Sequence, residues 1–346
     1  MNRATLDSIL ARAPELSVLV VGDFFLDKYL HIDPSLEETS LETGLPAHQC
    51  VGKRLAPGAA GVVTANLRAI GVGEVICLGA IGLDGEGFEL KSALQAIGAR
   101  TDMLVESDEI FTPTYIKPMA STAGQPAAEM SRIDIKNRDP LPPDIDDEIV
   151  RRLWELAPRV SGVAVSDQVQ ERNCGIITDR VRAELWAIAR ANPEVFFLVD
   201  SRTRIGEFRG VAIKPNKFEA IRAAGMDFGD SPTVEQATQA GLLLAARTGQ
   251  PVFVTVGADG IIVVSDEKTA RVPALPVEGE VDIVGAGDSC TAGIVAARCA
   301  GASLEDAAAM GNLVASVTVR KIGETGTASP DELRAQAPSQ GIGQRM

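Results

Sequence analysis

The sequence predicts an α/β fold, a doubly wound and mostly parallel sheet carrying a small β lid, on three observations. Short β-branched apolar runs end repeatedly in glycine or charged residues, Ala/Leu-rich stretches with helix start signals separate them, and two polar, proline-containing stretches break the rhythm. Apolar runs with little alternation suit strands buried on both faces. Strands alternating with helices imply crossover connections and parallel pairing.

Residues 17–21 run into Gly22-Asp23, and 162–165 into Ser166-Asp167. Residues 195–199 end in Asp200-Ser201-Arg202, 211–213 in Lys214-Pro215-Asn216, and 252–256 in Gly257. The run 281–284, read as a last strand, meets Gly285-Ala286-Gly287-Asp288. In such sheets ligands gather at the carboxyl edge of the strands, where all these polar clusters fall. Helix signals are a polar N-terminal segment, Ser231-Pro232 ahead of a helix stopping at Gly249, capping spacing from Ser303 to Asp306, and Ser329-Pro330-Asp331-Glu332. Residues 24–57 and 110–138 are read as the lid, because unstructured loops of that length are uncommon. Residues 1–335 form one domain on this reading, and 336–346 a frayed tail.

At 346 residues and 45% hydrophobic, a large core presents no difficulty. A net charge of −14 argues against a nucleic-acid-binding face. Five cysteines without CxxC spacing and only two histidines argue against a disulfide framework and a zinc site. No apolar run reaches a membrane span, and the expected compartment is the cytoplasm.

The chemistry concentrates in VDIVGAGDSCTAGIVAARCAG, residues 281–301. Glycines at 285 and 287 let the backbone turn several N–H groups onto one point, and the helix that follows adds its positive end. Asp288 would repel a bound anion, so its place makes sense if it takes a proton from an attacking hydroxyl while the amides of Gly285, Ala286 and Gly287 hold a phosphoryl group. The bland alternative, Asp288 as an N-cap, stands equally on this segment alone. The P-loop and GxGxxG signatures are both absent.

DIVGAGDSCTAG, residues 282–293, resembles the C-terminal signature of PfkB/ribokinase-type carbohydrate kinases, and the resemblance runs over roughly residues 17–333. It implies a ribokinase-like fold, ATP and Mg²⁺, and a homodimer formed through the lids. KPNKFE resembles the family's N-x-x-E motif, implying that Asn216 and Glu219 organise Mg²⁺, largely through water, beside the ATP phosphates. VTVGADG resembles the strand and loop whose Thr255, Gly257 and Gly260 line the nucleotide site, and Asn312 matches an adenine-side position. Asp282 with the loop at 319–323 is similar to a monovalent-cation site, K⁺ being the candidate.

VVGDFFLDKY resembles the family's first strand, implying that Asp27, with Asp23 as partner, binds sugar hydroxyls. KRLAPGAAGVVTANLRAIG resembles the N-terminal GGAAN signature but departs from it: Gly58 is kept, the second glycine is Ala59, and the asparagine falls on Val62. Residues 112–120, 129–135 and 165–171 look most like the heptose-phosphate kinase branch, in which a basic residue meets a phosphate already on the sugar. Lys53, Arg54, Lys117 and Arg132 are candidates for it. The chain ends where that branch often continues into a nucleotidyltransferase domain, so a kinase alone is expected. The expected activity is ATP-dependent phosphorylation of a sugar or sugar phosphate, with a nucleoside kinase and a non-catalytic sugar or nucleotide sensor as rivals. A Rossmann oxidoreductase lacks its glycine fingerprint.

Overall fold

The computed structural model describes residues 1–121, 127–227, 229, 231–266, 268–323 and 325–337. Seven parallel strands form most of a nine-stranded sheet, running spatially Leu104–Ser107, Glu74–Gly82, Ser17–Gly22, Gly162–Asp167, Phe196–Ser201, Ala212–Ile213 and Val252–Thr255. Ile261–Ser265 and Lys268–Val272 extend it antiparallel. Along Ser17–Gly22 the side chains alternate between two cores. Val18 and Val20 pack with helices Ala60–Ile70 and Ala286–Cys299, while Leu19 and Val21 join the side built by Pro143–Leu156 and Asp179–Ala191. Both faces are covered, which explains the unbroken apolar runs.

Helix boundaries follow local chemistry. The Val234–Thr248 helix begins after Thr233 rather than at Ser231-Pro232, because Thr233 and Gln236 close a capping box, and it stops at Gly249 as expected. Ser303 caps Leu304–Thr318, and Ser329 with Glu332 closes a box on Pro330–Gln336. Most of the segment read as a tail lies outside the described residues. One expected strand is absent: residues 281–284 form a loop that turns into the helix at Ala286. Val281, Ile283 and Val284 are all exposed, so the apolar run is explained by an open cavity rather than by a sheet.

A second sheet carries Ile133–Ile135, Thr114–Ala120, Phe24–Ile32 and Cys50–Ala59, with Ala128–Glu129 beside Thr114–Ala120. It grows out of the carboxyl edge of the main sheet: the backbone passes from Gly22 through Asp23 directly into its central strand. Among the described residues no helix is long and apolar enough to cross a membrane.

Candidate active site

Gly285 takes the left-handed conformation (φ 77°, ψ 2°) and is the N-cap of Ala286–Cys299. A side chain there would also meet Thr325 Cγ2 at 2.8 Å. One begun at Gly287 would lie 3.7 Å from Lys214 Nζ and 4.0 Å from Asp200 Oδ2, so the missing side chain leaves a cradle against an ammonium group. The N–H groups of Gly287 and Asp288, in the first turn, have no acceptor among the described residues. These are the features an anion needs.

Asp288 stands at the third helical position, and the cap is Gly285, so the capping alternative falls away. Its carboxyl is partly buried and makes no hydrogen bond or ion pair among the described residues. Burial first, then the charge of Asp200, pushes its pKa up to about 7. Lys214 and Arg202 pull the other way, and Asp27 adds to the rise.

Beneath the loop, Lys214 and Asp200 form a buried ion pair at 2.8 Å, and Thr291 Oγ1 donates to Asp200 Oδ2 at 3.3 Å. Burial opposes the charge on Lys214 most strongly, but Asp200, Cys290 and Glu219 together outweigh it and hold the ammonium charged beyond its ordinary range. Neither residue was singled out from sequence. The signal was there: an acid and a lysine, each closing an apolar run at the carboxyl edge.

Asn216 and Glu219 form a capping box: Asn216 Oδ1 accepts from the N–H groups of Phe218 and Glu219, and Glu219 Oε2 accepts from that of Asn216. The only side-chain oxygen of Asn216 is thus taken up by the helix start, while Glu219 keeps Oε1 for a ligand or cation. Burial, and then Asp200, raises the Glu219 pKa to about 7. Two acids crowded in this way fit a bound cation, which would relieve their mutual repulsion. A cavity of about 650 Å³ opens beyond the anion loop, lined by Thr255, Gly257, Gly260, Gly287 and Asn312, with Val281 and Ile283 as an apolar wall. Its size and lining fit a nucleotide. Asn312 donates its amide hydrogens to Val272 O and Pro273 O, so its carbonyl faces any ligand. At Gly260 (φ 97°) a Cβ would strike Val272 O at 2.1 Å, which reserves the position for glycine.

Asp282, expected at a monovalent-cation site, ties two loops together. Its two carboxylate oxygens accept from Val284 N and Gly323 N, and its own N–H donates to Val319 O. The carboxylate is a clasp between the 281–284 loop and the 319–323 loop.

On the lid side, Asp27 is buried and paired with Lys117 at 2.7 Å, and Lys117 also reaches Tyr29 Oη at 3.2 Å. A Cβ at Gly58 would come within 2.8 Å of Asp27 Oδ2, so Gly58 makes room for that carboxylate. Ala59, where the family has glycine, is held at φ 51°, ψ −116°, a region costly for any side chain. Arg132 stays on this face over the Tyr115 ring, but Asp134 binds its guanidinium through two hydrogen bonds.

Two expected sugar-binding residues are not brought to the acceptor. Asp23 is buried, and its carboxylate already accepts from Gln168 N, Val169 N and Ile176 N at 2.7–2.9 Å. Lys53 pairs with Leu30, one step out of register from Arg54 and Tyr29, and so points to the face opposite Asp27. Arg54 stacks on Tyr29 and donates to Gly323 O at 2.9 Å.

Residues 211–332, which carry the N-x-x-E motif and the anion loop, match the pfkB family of carbohydrate kinases. That segment is similar to the family, and the chain has the ribokinase-like fold of the solved structures below. The chain is similar to the bifunctional protein HldE of Geotalea uraniireducens, at 28% identity over 97% of this chain and 66% of the relative. It is likewise similar to HldE of Desulfatibacillum aliphaticivorans, at 30% over 94% of this chain and 64% of the relative. It therefore spans a little under two thirds of these relatives' length. Among solved structures, Arabidopsis thaliana ribokinase complexed with ribose and ATP superposes with a TM-score of 0.67 at 19% identity, covering 93% of this chain and 98% of that one. Escherichia coli phosphofructokinase-2 in complex with fructose-6-phosphate gives 0.68 at 17%, covering 92% and 97%. At these identities the structural likeness speaks for the fold.

Proposed function

We propose that this chain transfers the γ-phosphoryl group of ATP to a hydroxyl of a sugar or sugar phosphate, with Asp288 as the general base. A heptose phosphate heads the acceptors to be tried, because the chain resembles the heptose-phosphate kinase branch and its curated relatives are HldE proteins. One observation carries the reading: an unpaired carboxyl, poised near neutrality, stands beside unsatisfied amides at a helix start. A base with a pKa near the working pH combines a useful ionised fraction with enough basicity to take the proton.

In this reading the acceptor lies under the lid with a hydroxyl on Asp27, which Lys117 holds in place through their ion pair. The reacting hydroxyl points to Asp288, which accepts its proton as the oxygen–phosphorus bond forms and the bond to ADP breaks. The proton later leaves to water. The free amides of Gly287 and Asp288, with Lys214 beneath them, hold the phosphoryl oxygens, whereas the Ala286 N–H, expected to join them, already donates to Ile283 O at 3.2 Å. The sheet edge fixes the line of transfer. Mg²⁺, when bound with the nucleotide, would neutralise phosphate charge near Glu219 and Asp200. The lid excludes water as a competing nucleophile. Exposed Leu36, Leu41, Leu45, Val51, Met130 and Ile133 on the lid segments support a homodimer through that sheet.

The test is an ADP-release screen over free sugars, hexose and heptose phosphates and nucleosides, run beside Asp288→Asn. The expected result is turnover with a sugar-type acceptor that Asp288→Asn loses by about a hundredfold to ten-thousandfold while still binding ATP. Tight ATP binding with no turnover on any acceptor would reject the kinase and favour a sensor.

A further inference from the structure

Two clefts flank the end of the Phe196–Ser201 strand. One lies between lid and sheet and is lined by Phe25, Tyr115, Lys136 and Gln168; the other is lined by Glu219 and Arg222. Arg202, the first residue beyond the strand, lines both. Its side chain is exposed, and its guanidinium has no hydrogen bond or ion pair among the described residues.

Most cations around it are engaged; Arg222, in the second cleft, is the exception among the described residues. Lys214 is paired with Asp200, Lys117 with Asp27, and Arg204 with Asp167. Lys136, the other cation of the acceptor cleft, lies 3.7 Å from Asp134. In a chain with 47 acids against 33 lysines and arginines, an arginine left unpaired amid these carboxyls is held where none of them reaches it. Lining both clefts, it stands between Tyr115 on the acceptor side and Glu219 of the N-x-x-E motif, and its charge favours the ionised forms of Asp288, Glu219 and Tyr115.

From this position we infer that Arg202 is a further catalytic residue, the cation that meets the transferring phosphoryl group from the side opposite the loop amides. This rests on the kinase reading above. Charge in phosphoryl transfer spreads over three equatorial oxygens, and the loop amides approach them from the helix side. A planar guanidinium with five donors can hold two oxygens at once and follow them as the bond to the acceptor forms. A free side chain at the junction of the clefts can make that contact without first breaking a native ion pair.

Arg202→Gln and Arg202→Lys are compared with wild type and Asp288→Asn in the ADP-release screen, with ATP binding measured separately. Because Arg202 is exposed, both variants are expected to melt with wild type. The expected result is a kcat lower by about a hundredfold or more in Arg202→Gln, a smaller loss in Arg202→Lys, and unchanged ATP affinity. Should Arg202→Gln raise only the acceptor KM and leave kcat intact, Arg202 reads the acceptor instead, and the inference is overturned. It is equally overturned if Arg202→Gln matches wild type while Asp288→Asn is inactive, a result that leaves the kinase reading standing. If no acceptor is turned over by wild type, both fall.

Discussion

Replacing Asp288 with Asn tests the electrostatics of the site without any knowledge of the acceptor. The folded-state pKa is about 7 against an ordinary 3.8, so the folded protein binds this proton more tightly than the unfolded chain does. The stabilisation from that proton is complete below the ordinary carboxylate range and is lost as pH rises through about 7. About three units at ~1.36 kcal/mol each set a ceiling of about 4 kcal/mol. Partial exposure to water reduces the expected effect to about 1–2 kcal/mol. Asp288→Asn, which never ionises, should match wild type near pH 4 and become more stable by that amount at pH 8. Urea unfolding of both proteins across that range measures it. A difference independent of pH, which would mean an unshifted pKa, or a variant less stable at pH 8, as an ionised helix-capping aspartate would give, would refute the reasoning. The same titration sets the ascending limb of turnover: at pH 6, one unit below the pKa, about a tenth of the molecules carry the ionised base.

Other consequences follow from the same geometry. Ala59→Gly relieves a side chain held at positive φ and should stabilise the protein by about 1 kcal/mol, read as a higher urea midpoint at unchanged slope. Lys214→Met strands Asp200 in the interior. It should cost about 3–5 kcal/mol in urea unfolding, and it should move the ascending pH limb upward, since Lys214 holds the Asp288 pKa down. Val51→Asp paired with Ile133→Asp should leave the melting temperature nearly unchanged while shifting any dimer towards monomer in analytical ultracentrifugation.

Much of the molecule was legible because its signals are local. The apolar runs buried on both faces, the capping residues at 303 and 329, and the glycine turn at 285 each act within a few residues. The apolar run 281–284 misled because it borders a cavity, and periodicity cannot tell a face awaiting a ligand from a face covered by a neighbouring strand. Asp23 and Asp27 stand four residues apart with the same side chain, yet one is consumed by amides arriving from residues 168–176 and the other faces the lid. Only the fold brings those amides there. Lys214 was hidden for a related reason, since its meaning lies in Asp200 and Gly287, which are distant in sequence.

Asp23 has a mechanical consequence. Its carboxylate fastens the 168–176 segment, while its carbonyl accepts from Ala60 N at 3.0 Å, where the lid chain re-enters the body. Exit and return of the central lid hairpin are therefore pinned at one point on the sheet edge. Any closing movement must be a swing about that pin. Strands of this length reach about 30 Å, so a tilt of about ten degrees carries the outer turn through about 5 Å. The residues nearest the pin, Asp27 and Gly58, would shift far less, keeping the acceptor contacts aligned while the rim travels.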